Sequence, residues 1–143
     1  MTARTAITDL VYTYALNIRT GNGADCAGLF TEDAVFEIRD APVGSSEPGR
    51  TRSTLMGREA IANYVARTGA PGMRVCPLIH NLLIKVNAHE ATSSCILTAL
   101  VWAGGKQIVA EYDDSYRYEA ASGWRFTSRI STMLGEFSYM TPQ

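Results

Sequence analysis

GREAIANYVARTGAPGMRVCPLIHNLLIKV, residues 57–86, contains the change of period that decides the fold of this chain. In its first half Ala60, Ile61, Tyr64 and Val65 recur at helical spacing, with Gly57 at the opening and Thr68 at the end of the same face. Gly69 to Gly72 reads as a turn. From Cys76 the spacing of apolar residues drops to two, and Cys76–Val86 predicts a strand. The shorter period then persists. Thr92–Ala103, Gln107–Tyr118 and Trp124–Met133 predict three more strands, with hairpin turns at Gly104-Gly105 and Ala121-Ser122-Gly123.

Upstream the pattern is mostly helical. Ile7, Leu10, Val11, Tyr14, Ala15 and Ile18 form one apolar stripe, which predicts a helix over 5–19 that Gly21-Asn22-Gly23 breaks. Ala24 to Phe30 predicts a short second helix, ended by the polar turn Thr31-Glu32-Asp33. Ala34–Ile38 reads as a strand, and the Pro-, Gly- and Ser-rich stretch Asp40 to Ser53 as a long loop. Helices and one strand first, then an antiparallel meander, define an α+β domain with helices on one face of a curved sheet. One domain is expected over 1–143.

Composition narrows the function. A hydrophobic fraction of 46% is globular, and a formal net charge of −1 without a Lys/Arg run argues against nucleic-acid binding. No stretch of about 20 apolar residues spans a membrane, and the N-terminus leads into an amphipathic pattern, so a cytoplasmic location is expected. Cys26, Cys76 and Cys95 have the spacing of neither a disulfide framework nor a zinc site, and read as buried thiols.

Three stretches carry a family resemblance. They are Ile7-Thr8-Asp9-Leu10 followed by Leu29-Phe30-Thr31-Glu32-Asp33-Ala34-Val35-Phe36; Gly57-Arg58-Glu59-Ala60-Ile61; and Tyr112-Asp113-Asp114 with Gly123-Trp124-Arg125-Phe126 and Arg129. In order and spacing the chain resembles the polyketide-cyclase-like (SnoaL-like) branch of the nuclear-transport-factor-2-like superfamily. Scytalone dehydratase, lindane dehydrochlorinase and bile-acid dehydratase are in that neighbourhood. The resemblance implies a cone-shaped, cystatin-like fold: a curved, mostly antiparallel sheet covered by about three helices. It also implies an aspartate near the end of helix one and a histidine on the strand after helix three. Here those positions hold Arg19 and Pro77. Arginine does not act as a base at neutral pH, and proline does not titrate, so the Asp/His dyad is absent.

Other residues can carry chemistry. His80 is either a general acid or base or a hydrogen-bonded core histidine; by alternation it shares a face with Leu78, Leu82, Ile84 and Val86. Family register puts position 77 on the other face with Asn81, unless a bulge intervenes. His89 reads as a solvated turn residue. Asp114 faces the same way as Tyr112, Tyr116 and Tyr118, and is either a base raised by its aromatic surroundings or a salt-bridge partner of Arg19, Arg125 or Arg129. Asp113 points the other way. By the resemblance Arg129 stabilises developing negative charge, and Arg19 adds a second cation for a substrate anion. As an alternative, Arg19 simply complements the dipole of its helix. The resemblance also places Tyr14 and Phe36 at pocket positions, and Trp102, Tyr112 and Met133 are expected to line the interior.

The reading that follows is a small-molecule enzyme without metal or organic cofactor, acting on an apolar polyketide-, terpenoid- or steroid-like substrate. Loss of the dyad favours a cyclase, possible even for a pericyclic closure, with Tyr14, Asn81, Arg129 and His80 as donors. Alternatives are an acid/base isomerase or dehydratase using Asp114 or His80, and a non-catalytic ligand-binding module. Ile96, Leu97, Leu100 and Val101 put apolar groups on both faces of one strand, so a homodimer through the outer sheet face is expected.

Overall fold

A computed structural model describes residues 1–138 except Pro48. Helix α1 spans Ala3–Thr20, two residues earlier than its periodicity predicts, because the Thr2 hydroxyl caps it by accepting from the Thr5 amide. Ile7, Val11, Tyr14, Ala15 and Ile18 form its buried stripe. Helix α2, Gly23–Ala27, is shorter than expected because Phe30 already belongs to a strand. Strand β1, Phe30–Asp40, runs through the expected turn at Thr31-Glu32-Asp33.

The expected loop from Asp40 to Ser53 hides the start of strand β2, Arg50–Met56, which pairs antiparallel with β1. Its sequence, RTRSTLM, is polar because it lies at the sheet edge, where charged residues discourage pairing with another chain. Helix α3, Gly57–Thr68, follows as predicted, with Ile61 and Val65 fully buried.

Strands β3 (Val75–Asn87), β4 (Glu90–Val101), β5 (Lys106–Glu119) and β6 (Gly123–Ser138) form the antiparallel meander. The sheet order is β2-β1-β6-β5-β4-β3, and the β1/β6 pair is the parallel one among the described strands. The six strands make the curved sheet of an α+β, cystatin-like fold. On its concave side α1 packs across β3 and β6, and α3 across β1 and β2. The ends of α1 and α3 meet backbone to backbone: a Cβ on Gly69 would lie 2.1 Å from the Gly21 Cα, so both positions demand glycine. No described helix is long and apolar enough to cross a membrane.

A bulge interrupts β3 between His80 and Leu83, with Asn81 at φ 54°. It corrects the predicted alternation. Beyond the bulge Leu82 and Ile84 turn to the packed side, while Leu78, His80 and Leu83 stay exposed on the other.

Candidate active site

Strand register lays the inner face out in rows. Ser93, Asp114, Arg129 and Phe36 are successive cross-strand partners on β4, β5, β6 and β1. The next row holds Cys95, Tyr112, Ser131 and Ile38. Then come Leu97, Ala110 and Met133, and last Pro77, Ala99, Ile108 and Glu136. Along this face the chemistry passes from charge, through hydroxyls, to small apolar groups and a wet rim.

In the first row the side chains of Asp114 and Arg129 are both wholly shielded from solvent. Arg129 donates from Nε to Asp114 Oδ1 at 2.8 Å and from Nη2 to Oδ2 at 3.0 Å. Tyr116 adds a longer bond to Oδ2 at 3.4 Å, and its hydroxyl is 2.7 Å from Ser93 Oγ. The guanidinium lies over three rings, with its carbon 3.7 Å from the Tyr112 centroid, 4.2 Å from Tyr14 and 4.6 Å from Phe126. Burial pushes the Asp114 carboxyl up, and Arg129 opposes this. Burial also works against the Arg129 charge, but Asp114 overcomes it and holds the guanidinium well above its ordinary value. The arginine is therefore charged and the carboxylate is its counter-ion, because a neutral acid would leave a buried cation without one. Of the three salt-bridge partners foreseen for Asp114, the structure selects Arg129.

Above this pair lies a cavity of about 390 Å³. Tyr14, Phe36, Tyr64, Tyr112, Ser131 and Met133 line it, and Ala99, Ala103 and Ala110 leave it room. Tyr14 and Tyr112 form the boundary, with the cavity on one side and the Arg129 guanidinium on the other. The hydroxyls of Tyr14, Tyr64 and Tyr112 have no hydrogen-bond partner among the described residues. Burial raises all three phenols above their ordinary range, so they are neutral donors at physiological pH. Arg129 counteracts this in part for Tyr14 and Tyr112, which makes their hydroxyls better donors. The rim carries Arg52, paired with Asp40, and Lys106, 3.1 Å from Glu136. Glu136 is the one carboxylate among the described lining residues, and no histidine lines the cavity.

The model of the SnoaL-like domain matches residues 1–130. The chain belongs to the SnoaL-like domain family. Solved structures agree on the fold of this SnoaL-like chain. It is similar to an NTF2-like protein with a cystatin-like fold from Novosphingobium aromaticivorans, 23% identical over 92% of this chain and 81% of that one, with a TM-score of 0.72. A protein of unknown function from Mycobacterium tuberculosis is 25% identical over 89% of this chain and 69% of its own, with a TM-score of 0.71. A hexachlorocyclohexane dehydrochlorinase from Novosphingobium barchaimii is 18% identical over 97% of this chain and 94% of its own, with a TM-score of 0.72. Among curated proteins none matches.

Within this SnoaL-like domain the sequence-derived candidates separate into three places. Tyr14, Phe36, Tyr112 and Met133 meet in the cavity, and Asp114 and Arg129 lie behind its tyrosines. His80 and Asn81 are exposed: regular alternation from Pro77 puts His80 on the outer face ahead of the bulge, the bulge leaves Asn81 outside as well, and His80 Nε2 is 2.9 Å from the Thr98 hydroxyl. Neither is therefore positioned to act on a molecule held inside. Arg19 and Trp102 are also outside the cavity, and Trp102, expected in the interior, is 63% exposed because it follows the even, outer positions of β4. Pro77 does line the cavity, as family register requires of that position. Tyr118 is exposed and contacts Trp124 instead of continuing the inner face. Cys76 is only half buried, whereas Cys26 and Cys95 are buried.

Sequence reasoning missed the hydroxyl role of Tyr64, the rim residues Arg52, Lys106 and Glu136, and Ser131. Tyr64 was placed on the apolar face of α3, and its neighbour Phe36, 5.5 Å away ring to ring, explains why its body packs while its hydroxyl reaches the cavity. Arg52 sits on the strand hidden in the apparent loop.

Proposed function

We propose that this SnoaL-like protein is a cofactor-independent enzyme, a cyclase acting on an apolar, oxygenated polyketide-, terpenoid- or steroid-like molecule. The observation that carries this reading is the cavity lined, among the described residues, by three unpartnered, neutral phenol hydroxyls, with its one carboxylate, Glu136, paired to Lys106 at the rim. Such a site binds carbonyl or hydroxyl oxygens while apolar walls fix the carbon skeleton. Holding one flexible molecule near its reactive geometry lowers the entropic part of the barrier. In an intramolecular closure the electrons of one π system form the new carbon–carbon bond, no atom enters or leaves, and no strong base is required. Tyr14 and Tyr112 polarise the substrate oxygen from the side backed by Arg129, Tyr64 approaches from α3, and Phe36 and Met133 shape the wall.

Acid/base elimination finds less support. Asp114 is held by Arg129 with both its oxygens engaged, and His80 is on the opposite side of the sheet. The cavity of about 390 Å³ falls within the range of small-molecule sites. A homodimer through the outer sheet face belongs to the same reading: Leu78, Leu83 and Ile96 are exposed there together. Light scattering at micromolar concentration should give twice the 15.6 kDa chain mass.

Thermal melting with a panel of neutral oxygenated polyketides and steroids tests the binding step, since a ligand of the folded state raises stability by mass action. Hits are then followed for conversion to a product of equal mass. Stabilisation together with an isomeric product is expected. Stabilisation without any product favours a ligand-binding module, and loss of water or acid from the ligand favours elimination.

A further inference from the structure

A second concavity, of about 600 Å³, lies outside the cavity where α1 and α3 end against the start of β3. Its walls are apolar at Val75, Cys76 and Leu100, and Val75 also lines the interior cavity, so the two spaces adjoin. Two cations face it, Arg19 from the last turn of α1 and Arg74 from the turn before β3. Among the described residues neither side chain has an ion pair or hydrogen bond, and none of those that line the groove is a carboxylate. Trp102 forms another wall, 63% exposed, with its indole N–H unpartnered among the described residues.

Backbone geometry fixes these groups next to one another. Arg74 adopts a left-handed φ of 45°, which is strained for a non-glycine residue. Its amide donates to the Ala70 carbonyl at 3.0 Å and its carbonyl accepts from the Trp102 amide at 3.4 Å. The Gly21–Gly69 contact brings the end of α1, and with it Arg19, to the same rim.

We propose that this groove is a second ligand site, for a planar aromatic molecule carrying a carboxylate. Two unpaired guanidinium groups suit a carboxylate through charge-assisted bonds, and a free indole face suits a flat ring. The volume falls in the range of small-molecule sites. The interior cavity differs in kind, because its donors are neutral and its rim cations already have carboxylate partners. The proposal is independent of the cyclase reading.

The test compares two probes by calorimetric titration of the full chain: 2-naphthoate and its uncharged counterpart 2-acetonaphthone. Naphthoate binding should weaken at least about tenfold in Arg19→Glu/Arg74→Glu and several-fold in Trp102→Ala, and it should weaken as salt rises. The ketone should change less than about twofold in the same variants, since hydrogen bonds to neutral phenols do not depend on those cations. All three residues are at the surface, so the variants should remain folded, with thermal melting close to the parent apart from the small loss expected of an anion at the end of α1. Naphthoate binding that is unmoved by the charge reversal, or absent up to millimolar concentration, overturns the proposal.

Discussion

Strand β5 serves two regions that use polar groups in opposite ways. At Asp114 and Tyr116 it helps build a sealed network in which the carboxylate and two of the arginine nitrogens it faces are bonded. Two residues earlier, at Tyr112, the same inner face opens into the cavity with a hydroxyl that bonds nothing among the described residues. The charged row is largely consumed by the structure, with Arg129 Nη1 alone of its paired groups left without a partner among the described residues, and the neutral row is left for a ligand. In this protein a buried charge marks a foundation, and the unspent hydrogen-bonding capacity of neutral groups marks the site.

The largest effect should come from breaking the foundation. Arg129→Met leaves Asp114 buried without its counter-ion and should cost about 3–5 kcal/mol in chemical denaturation. Asp114→Leu/Arg129→Met, which removes both charges, should recover most of that loss. A mild single-variant effect would mean that the two regions do not differ as described.

The cavity should respond in the reverse manner. Ala110→Phe fills existing space, so stability should change little while affinity for 2-acetonaphthone falls more than about tenfold through simple exclusion. Tyr14→Phe and Tyr112→Phe keep the ring against Arg129 and delete only the hydroxyl. Each should weaken ketone binding by about 0.5–1.5 kcal/mol, roughly two- to twelve-fold, with the fold intact.

Thiols sharpen the contrast on the pH axis. Burial pushes Cys26 up to about 12 and Cys95 to about 11, against about 8.5 in the unfolded chain. Their contribution to stability is fully present below about pH 8.5 and is lost as pH rises toward the folded values. Alkaline melting should show this decline, and native-state alkylation near pH 8 should spare both while modifying the half-buried Cys76 first. The smallest effect belongs to His80→Ala, which should leave ketone affinity within about twofold and stability within about 0.5 kcal/mol, the usual range for a surface site.

Much of this was legible in the sequence because period and glycine placement are local signals. The switch from Tyr64 and Val65 at helical spacing to the alternation after Cys76 locates α3 and the meander. The motif order, from Leu29–Phe36 through Gly57–Ile61 to Arg129, carries the family. The cavity lining at Tyr14, Phe36, Tyr112 and Met133 was anticipated for the same reasons. Strand β2 was hidden because RTRSTLM is an edge strand, stabilised by one neighbour and coloured by solvent. Asn81 was misplaced because a bulge inverts faces without leaving a mark on composition, whereas alternation already sets His80 on the face opposite Pro77, where the structure has it. The Asp114–Arg129 pairing depends on cross-strand register between β5 and β6, a long-range property that alternation alone does not specify. The space itself comes from Ala99 and Ala110, which read in sequence as ordinary small strand residues.

The account rests on a site that works with neutral donors, and its pH profile is the most direct test. Turnover of whichever panel member yields a product, or failing turnover its affinity, is measured from about pH 6 to about pH 8, where a histidine or raised carboxylate base titrates. A change below about twofold across that range is the predicted result. A sigmoidal or bell-shaped profile of tenfold or more, retained in His80→Ala, would place a titrating group in the cavity and contradict the account.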